Sequence, residues 1–139
     1  MKVSVYNSLP NDAVMIRQKV FIEEQGFKDE FDNTDKVASH IVMYNENSEP
    51  IATCRVFEDR KKGGFIFGRL AVIESYRGMN IGTKMIREAE RLVVKMGGTS
   101  ISLHAQCRVR SFYEKLGYIA YGAIENEEGC PHIWMTKQL

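Results

Sequence analysis

The segment ESYRGMNIGTKMIREAERLVVKMGG, residues 74–98, decides the fold. Its first part is a turn that contains Gly78, Asn80 and Gly82, and a regular apolar pattern begins there at Ile81. The apolar residues recur at intervals of three and four, which predicts an amphipathic helix. They occupy positions 81, 85, 86, 89, 92, 93 and 96, and the pattern stops at Gly97-Gly98, where a helix C-cap is expected.

A helix that starts at such a turn directs several unpaired N–H groups and the positive end of its dipole toward one point, which favours an anion. Gly78 and Gly82 lack a Cβ atom, so a bulky phosphate can approach the backbone, and Arg77 adds a positive charge. We therefore expect a diphosphate here, although the spacing alone is also typical of a tight connection that binds nothing. The segment has neither the G-K-[ST] of a P-loop nor the G-x-G-x-x-G of a dinucleotide fold, which argues against a nucleoside triphosphate.

The N-terminal region predicts a short strand followed by a helix. Val3 and Val5 alternate with polar residues, as in a strand with one buried face. The sequence LPND then offers a turn, and Asn11 or Asp12 is expected to cap the helix that follows. The buried face of this helix is predicted at Ala13, Ile16 and Val20.

Three consecutive strands are predicted ahead of the glycine turn, and the last of them is apolar almost throughout, as expected of a central strand. The acidic segment KDEFDNTD that precedes them has no clear period and predicts a loop or a short second helix. The predicted elements are strands at 37–44, 51–57 and 64–73, with a charged turn EDRKKGG at 58–64, then a strand at 100–106, a helix at 109–117 and strands at 118–123 and 132–137.

The composition limits the class of protein. With 139 residues, 44% of them hydrophobic, the chain is expected to form one domain over residues 1–139. The formal net charge is +1, from 19 basic and 18 acidic residues, so nucleic acid is not an expected partner. Three widely spaced cysteines predict reduced thiols in the cytoplasm, and no apolar run is long enough to predict a signal peptide or a membrane span.

Two motifs connect the chain with a known family. YRGMNIGTKMI at residues 76–86 resembles the acetyl-coenzyme A (acetyl-CoA) pyrophosphate loop of the GNAT superfamily of N-acetyltransferases, whose pattern is R/Q-x-x-G-x-G/A. FYEKLGY at residues 112–118 resembles the second signature of that superfamily. IRQKVFIEEQG, ASHIVMY, HAQ and CPHIWM are similar to the ElaA-like branch. One position departs from the pattern, because Asn80 replaces its first glycine, and asparagine tolerates left-handed backbone angles.

The resemblance implies a mixed α/β (α+β) fold in which helices flank a twisted, mostly antiparallel sheet of six to seven strands. It also implies that acetyl-CoA is the cosubstrate, without a metal, and that its acetyl group moves to a primary amine of a small molecule or protein by direct attack in a ternary complex. The pantetheine arm would then lie along Leu70 to Val72 and pair as an extra strand, which requires free amides from a bulged strand, and the Leu70 and Val72 N–H groups are candidates for the thioester oxygen. The residues that the resemblance assigns to acetyl-CoA are Leu70, Ala71, Val72, Arg77, Gly78, Met79, Asn80, Ile81, Gly82, Thr83 and Gln106.

The resemblance makes Tyr113 the general acid that protonates the leaving thiolate. A proton acceptor for the attacking amine is also needed, and Glu24, near the end of the first helix, is the favoured candidate. Glu23, His104, His132 or a water molecule are the alternatives, and His132 is expected to be a hydrogen-bonded structural histidine.

The charge of the acceptor stays open at this point. The acidic segment favours a cationic amine, whereas Arg17 and Arg69 either pair with that segment or bind an anionic acceptor. Edge strands of this fold often pair subunits, which leaves a homodimer open as well.

Three alternatives to this interpretation are a zinc site, another type of acyl transfer and a non-catalytic module. His104, Cys107, Cys130 and His132 are residue types that bind zinc, but Cys130-Pro131-His132 is a poor ligand spacing. The R-x-x-V-F segment also resembles acyl-homoserine-lactone synthases, which are longer proteins. A third alternative is a CoA-binding sensor or interaction module without catalysis, which only the departure at Asn80 supports.

Overall fold

The structure is a computed structural model that describes residues 1–61 and 63–139. Within these residues seven strands form one sheet: β1 (Lys2–Tyr6), β2 (Ser39–Tyr44), β3 (Pro50–Glu58), β4 (Phe65–Val72), β5 (Ser100–Gln106), β6 (Ile119–Glu127) and β7 (Cys130–Gln138). The strand order is β1-β2-β3-β4-β5-β7-β6, and every neighbouring pair is antiparallel except β4 and β5. The expected mixed fold with a mostly antiparallel sheet is therefore confirmed. Lys62, in the predicted charged turn, lies outside the described residues.

The helices lie on both faces of the sheet. They are α1 (Asn11–Arg17), which continues as a π-helix over Gln18–Glu24, then α2 (Ile81–Lys95) and α3 (Arg110–Lys115). Short 3₁₀ turns occur at Asn33–Lys36, Glu74–Tyr76 and Cys107–Val109. On β2, Ile41 and Met43 pack in the cluster of α2, whereas Val42 packs in the cluster of α1. This alternation places the two helices on opposite faces of the sheet.

The helix predicted after the glycine turn is confirmed. Its apolar stripe is buried against the sheet, and its C-terminus has the backbone geometry expected of the glycine pair. Gly97 adopts a φ of 88°, and the Gly98 N–H donates to the Val93 carbonyl at 2.8 Å. A Cβ atom on Gly98 would lie 2.5 Å from a methyl carbon of Val93, so the second glycine is also required for packing.

The predicted cap of the first helix is wrong. Asn11 is already the first residue of α1, Pro10 precedes it in an extended conformation, and no side chain caps the helix. The Asp12 carboxylate instead accepts a hydrogen bond of 2.7 Å from the Tyr44 hydroxyl, which ties α1 to β2. The buried face predicted at Ala13, Ile16 and Val20 is confirmed, although Val20 lies in the π-helical continuation. Among the described residues, no helix has the length and apolar character needed to cross a membrane.

Candidate active site

The site begins where β4 and β5 separate. The two strands pair only over residues 65–67 and 101–103, although both continue toward their C-terminal ends. In the same part of β4, Arg69 and Leu70 together lie opposite Cys54 of β3, which is a β-bulge, and Arg69 has a φ of 54°. The expected bulged strand is therefore present. A bulge leaves backbone groups outside the ladder, and here those groups border the opening between β4 and β5.

The glycine turn leads into α2 through two residues with positive φ. Gly78 has a φ of 80°, and Asn80, directly before the helix, has a φ of 59° and a ψ of 21°. Asn80 therefore adopts the left-handed conformation that a glycine would adopt at lower strain. The first helical hydrogen bond runs from the Lys84 N–H to the Asn80 carbonyl at 3.1 Å. The three N–H groups before it, at residues 81–83, point out of the helix end without an intrahelical partner.

Gly82 is a contact point between three elements. A Cβ atom there would lie 3.3 Å from Cζ of Phe112 and 3.8 Å from Cδ2 of Leu70. Glycine therefore allows the start of α2 to approach both α3 and β4 closely. A larger side chain would have to displace the Phe112 ring or extend into the space in front of the helix.

A cavity of about 580 Å³ lies at this junction. Of the residues that the resemblance assigns to acetyl-CoA, those that line it are Leu70, Ala71, Val72, Arg77, Gly82 and Gln106, and Tyr113 lines it too. A second cavity of about 230 Å³ shares Val72, Arg77 and Gly82 with the first, and it adds Gly78, Asn80, Ile81 and Thr83. Met79 is more than half exposed and is not part of the lining described for either cavity.

Tyr113 lies on α3 and is 8% exposed, at the wall of the main cavity. Its ring packs edge-on against Phe112 at 5.1 Å and against Tyr118 at 6.0 Å. Burial raises the pKa of the Tyr113 hydroxyl well above the usual value for tyrosine, so it is protonated at neutral pH. In the described part of the chain this hydroxyl has no hydrogen-bond partner, which leaves its proton available to a bound molecule.

Arg77 and Glu24 form a salt bridge beside the glycine turn. The Arg77 Nε–H donates to the Val72 carbonyl at 2.9 Å, and its two terminal nitrogens lie 2.9 and 3.0 Å from the Glu24 carboxylate. In residues 1–61 and 63–139 the lining of the main cavity includes the neighbouring Gln25 but not Glu24. Glu24, the favoured proton acceptor from sequence, is thus bound to the arginine of the predicted phosphate loop, and Glu23 is exposed.

Gln106 lies at the end of β5 and is held in place from two sides. Its Nε2 donates to Oε1 of Gln25 at 2.8 Å, and its Oε1 accepts from Nε of Arg108 at 2.6 Å. Both partners line the cavity, and neither of them was predicted from the sequence. No local pattern pointed to Gln25, because it meets Gln106 only through the fold, 81 residues along the chain.

The acidic segment contributes Asp29 and Glu30 to the cavity wall, and three arginines hold it. Arg17 lies 2.8 Å from Glu30 and 2.8 Å from Asp35, and Arg55 lies 2.9 Å from Asp35. Arg69 lies 3.1 Å from Glu30, so both arginines with an open role pair with this segment. Burial raises the pKa of Glu30 despite the nearby arginines. Burial opposes ionisation of Asp35 too, but hydrogen bonds and charges of Arg17 and Arg55 outweigh it and lower its pKa to about 2.

His104 and His132 lie beside each other on β5 and β7, with ring centroids 5.0 Å apart. Nδ1 of His104 lies 2.8 Å from Glu127, and Nδ1 of His132 lies 2.8 Å from the Cys130 carbonyl. Both rings line the main cavity. Within the described ranges, no three His, Cys, Asp or Glu side chains are grouped so that they could hold a metal ion.

Two carboxylates of the cavity wall were not identified from the sequence, namely Glu127 and Glu128. Glu127 and Glu128 lie at the hairpin between β6 and β7, and Glu128 has a φ of 48°. The acidic turn before CPHIWM is typical of a hairpin. The direction of these side chains, however, depends on the register between β6 and β7, which the turn alone does not predict.

The chain resembles known proteins over almost its whole length. The Acetyltransferase (GNAT) domain family matches residues 9–139. A Bacillus subtilis (strain 168) protein with a provisional acetyltransferase name is 37% identical over 131 residues, which cover 91% of this chain and 87% of that protein. A provisionally named N-acetyltransferase from Lactobacillus plantarum has a crystal structure that matches with a TM-score of 0.90 at 31% identity, over 99% of this chain and 97% of that chain. Escherichia coli ElaA matches with a TM-score of 0.87 at 23% identity, over 98% of both chains, and therefore shares the fold.

The family match spans both motifs that carried the resemblance. This chain therefore belongs to the GNAT family of acetyltransferases, and it is an acetyl-CoA-dependent acetyltransferase.

Proposed function

We propose that the protein moves the acetyl group of acetyl-CoA to a primary amine by direct attack of the amine on the thioester, within a ternary complex. One observation carries the proposal: the bulged part of β4, the start of α2 and the ring of Tyr113 border a single cavity. A thioester joined to a diphosphate needs free strand amides at one end and a helix N-terminus at the other.

The diphosphate fits the free N–H groups at residues 81–83, with Arg77 at the rim of the same turn. The left-handed angles of Asn80 support this assignment, because the chain turns there as it would with glycine. The pantetheine arm fits between β4 and β5, where residues 70–72 have no β5 partner and can pair with an extended chain of amides. The N–H of Leu70 or Val72 is then a donor for the thioester oxygen as negative charge develops there.

Tyr113 is proposed as the proton donor to the sulfur that leaves. It lies at the cavity wall, it is protonated at neutral pH, and it has no competing hydrogen bond among the described residues, so its hydroxyl can donate to a sulfur that becomes negative. The attack needs no covalent enzyme intermediate, because the amine itself is the nucleophile.

The acceptor is proposed to be a cationic primary amine. The positive charges of Arg17 and Arg69 are compensated by Glu30, Asp32 and Asp35, which argues against a site for an anionic acceptor. The remaining carboxylates of the wall, Asp29, Glu127 and Glu128, favour a positive ligand. The Lys28 N–H, next to Asp29, donates to the Glu128 carboxylate at 3.0 Å and so joins the acidic segment to the hairpin.

Calorimetric titration with acetyl-CoA tests the cofactor part of the proposal, with free adenine nucleotides as controls. We expect micromolar binding of acetyl-CoA and much weaker binding of the nucleotides, because they lack the pantetheine arm that pairs with β4. Equal affinity for both would contradict the assignment of residues 70–72. Binding without release of thiol in the presence of any amine would favour a non-catalytic CoA-binding module.

Three amines with the same four-carbon chain test the acceptor class, namely 1,4-diaminobutane, n-butylamine and 4-aminobutanoate. Thiol release should give a kcat/KM that is about tenfold higher for the diamine than for butylamine, since one favourable charge pair contributes on the order of 1.4 kcal/mol. The amino acid should be the poorest acceptor. Asp29→Asn should reduce the preference for the diamine, and a preference for 4-aminobutanoate would contradict a cationic acceptor.

A further inference from the structure

We propose that His132 is the proton acceptor for the attacking amine, and that Glu127 stabilises the imidazolium that forms. The inference rests on the proposed acetyl transfer and assigns a residue to the step that the sequence left open. The hydrogen bond between His132 and Cys130 is by itself typical of a structural histidine, but it is also compatible with a base.

The sheet register places His132 beside the reacting end of the cavity. On β5, Leu103 and Ala105 pack in the cluster of α2, so Gln106 and His104 project from the opposite face. His132 is the register partner of Gln106 on the adjacent strand β7, and partners in an antiparallel pair project to the same face. His132 therefore lies one strand away from the residue that borders the opening between β4 and β5.

The hydrogen bond to Cys130 determines which ring nitrogen can accept a proton. A carbonyl oxygen only accepts, so the Nδ1 that lies 2.8 Å from it carries the hydrogen. The neutral ring then has its lone pair on Nε2. His132 is 6% exposed and lines the cavity, and in the described part of the chain Nε2 has no hydrogen-bond partner. An unpartnered basic nitrogen on a buried side chain is thus presented to the cavity.

Glu127 lies where it can bind the same ammonium group. Its Oε2 is 3.7 Å from Nε2 of His132, which is too long for a direct hydrogen bond. An ammonium nitrogen between the two atoms can lie within about 2.8 Å of both. The other oxygen of Glu127 accepts a hydrogen bond of 2.8 Å from His104, which fixes the orientation of the carboxylate. After proton transfer, the negative charge of Glu127 faces the new imidazolium.

The other charged groups near this pair come from several elements of the fold. His104 approaches from β5, and Nε2 of His104 lies 3.1 Å from Glu125 of β6 without the alignment of a hydrogen bond. The remaining charged residues of the cavity wall are Asp29, Glu30 and Glu128 on the acidic side and Arg69, Arg77 and Arg108 on the basic side. Arg69 and Arg77 are each bound to a carboxylate.

The complete reaction balances with these groups. The ammonium gives one proton to Nε2 of His132, and the freed nitrogen lone pair forms the C–N bond at the thioester carbonyl. The C–S bond then breaks, its electron pair stays on sulfur, and sulfur takes the proton of Tyr113. The second proton lost by the nitrogen restores Tyr113 through solvent, and the imidazolium releases its proton to water. The products are the N-acetyl amine, the CoA thiol and one proton.

The test is His132→Asn, because the asparagine amide can still donate to the Cys130 carbonyl while Nε2 is removed. With 1,4-diaminobutane as acceptor, we expect kcat/KM to fall about 100-fold, with acetyl-CoA affinity unchanged in calorimetry. With 2,2,2-trifluoroethylamine, which is largely unprotonated at neutral pH, the loss should be less than about tenfold, because no base is needed. Glu127→Gln should lower kcat/KM for the diamine about tenfold, and Glu46→Gln, the same change in an exposed turn, should behave as wild type.

Several outcomes would overturn the assignment. If His132→Asn loses the same factor in kcat/KM with both amines, His132 has a structural role. If the rate and the pH profile with the diamine are unchanged, His132 has no role in the reaction. If Glu24→Gln has a much lower kcat/KM while His132→Asn keeps the wild-type value, Glu24 is the proton acceptor. If the wild-type protein releases no thiol with any of the amines, the proposed acetyl transfer is wrong. If the wild-type protein is active and only the variants differ from expectation, the proposed acetyl transfer stands and another group is the base.

Discussion

Nε of Arg17 lies 2.8 Å from Oε2 of Glu30, and the two side chains are only 1% and 4% exposed. This contact joins the first helix to the acidic segment and holds a carboxylate at the wall of the cavity. Because Asp35 and Arg55 complete the same cluster, buried charge fixes the segment together with the 3₁₀ turn at Asn33–Lys36. The acceptor side of the site therefore depends on ion pairs that extend behind the cavity wall.

Removal of Arg17 should destabilise the whole fold. Arg17→Met keeps most of the chain length but removes one of the two arginine partners of Glu30 and of Asp35, and breaking a buried pair in this way costs about 3–5 kcal/mol. Urea denaturation would measure the free energy of unfolding. Arg91→Met is the control, because its pair with Glu88 lies on the surface of α2 and should contribute less than about 1 kcal/mol. Similar effects for both variants would contradict a stabilising role of the cluster.

The free energy of unfolding should fall in acid because of Asp35. The folded-state pKa of about 2 lies below the ordinary value of 3.8, so the stabilisation is present above pH 3.8 and is lost as the pH falls toward 2. The expected loss is on the order of 2 kcal/mol. Glu30 has the opposite effect on the free energy of unfolding. Its pKa is raised in the folded protein, so its protonation in acid favours the folded state. Denaturation at a series of pH values should show a flatter acid limb for Asp35→Asn than for wild type, and identical limbs would refute the assignment.

Tyr113→Phe should lower turnover while leaving acetyl-CoA affinity nearly unchanged. The substitution removes only the hydroxyl, and that oxygen has no hydrogen bond among the described residues that its loss would break. We expect kcat to fall by about 100-fold, as is typical when a general acid is removed. Steady-state kinetics and calorimetry separate the two quantities. Wild-type turnover in this variant would exclude Tyr113 as the acid.

Gly82→Val should weaken acetyl-CoA binding before it harms folding. A Cβ at Gly82 would lie 3.3 Å from Phe112, so the new side chain must occupy the space in front of the helix start. We expect the Kd to rise at least tenfold, while the melting temperature changes by a few degrees only. Arg91→Val, which puts the same side chain on the exposed face of α2, serves as the control. An unaltered Kd would mean that the diphosphate binds elsewhere.

The long helix could be predicted from local pattern because its determinants are local. The apolar period after Ile81 and the Gly97-Gly98 pair act within a few residues, and both behave in the structure as predicted. The first helix shows where local rules fail. Asn11 and Asp12 are good capping residues, but Asp12 binds Tyr44, which is 32 positions away in the sequence. A tertiary hydrogen bond replaced the local one.

The sequence by itself determined the family and the order of the elements and predicted the cofactor loop, because motifs and periodicity depend on neighbours along the chain. Only the tertiary structure decided that Arg17 and Arg69 are paired internally, that Glu24 binds Arg77, and that His132 presents Nε2 to the cavity beside Glu127. The physical reason is that charge compensation and hydrogen-bond pairing depend on distance in space. Strand register and the packing of the acidic segment set those distances, and no short stretch of sequence encodes either one.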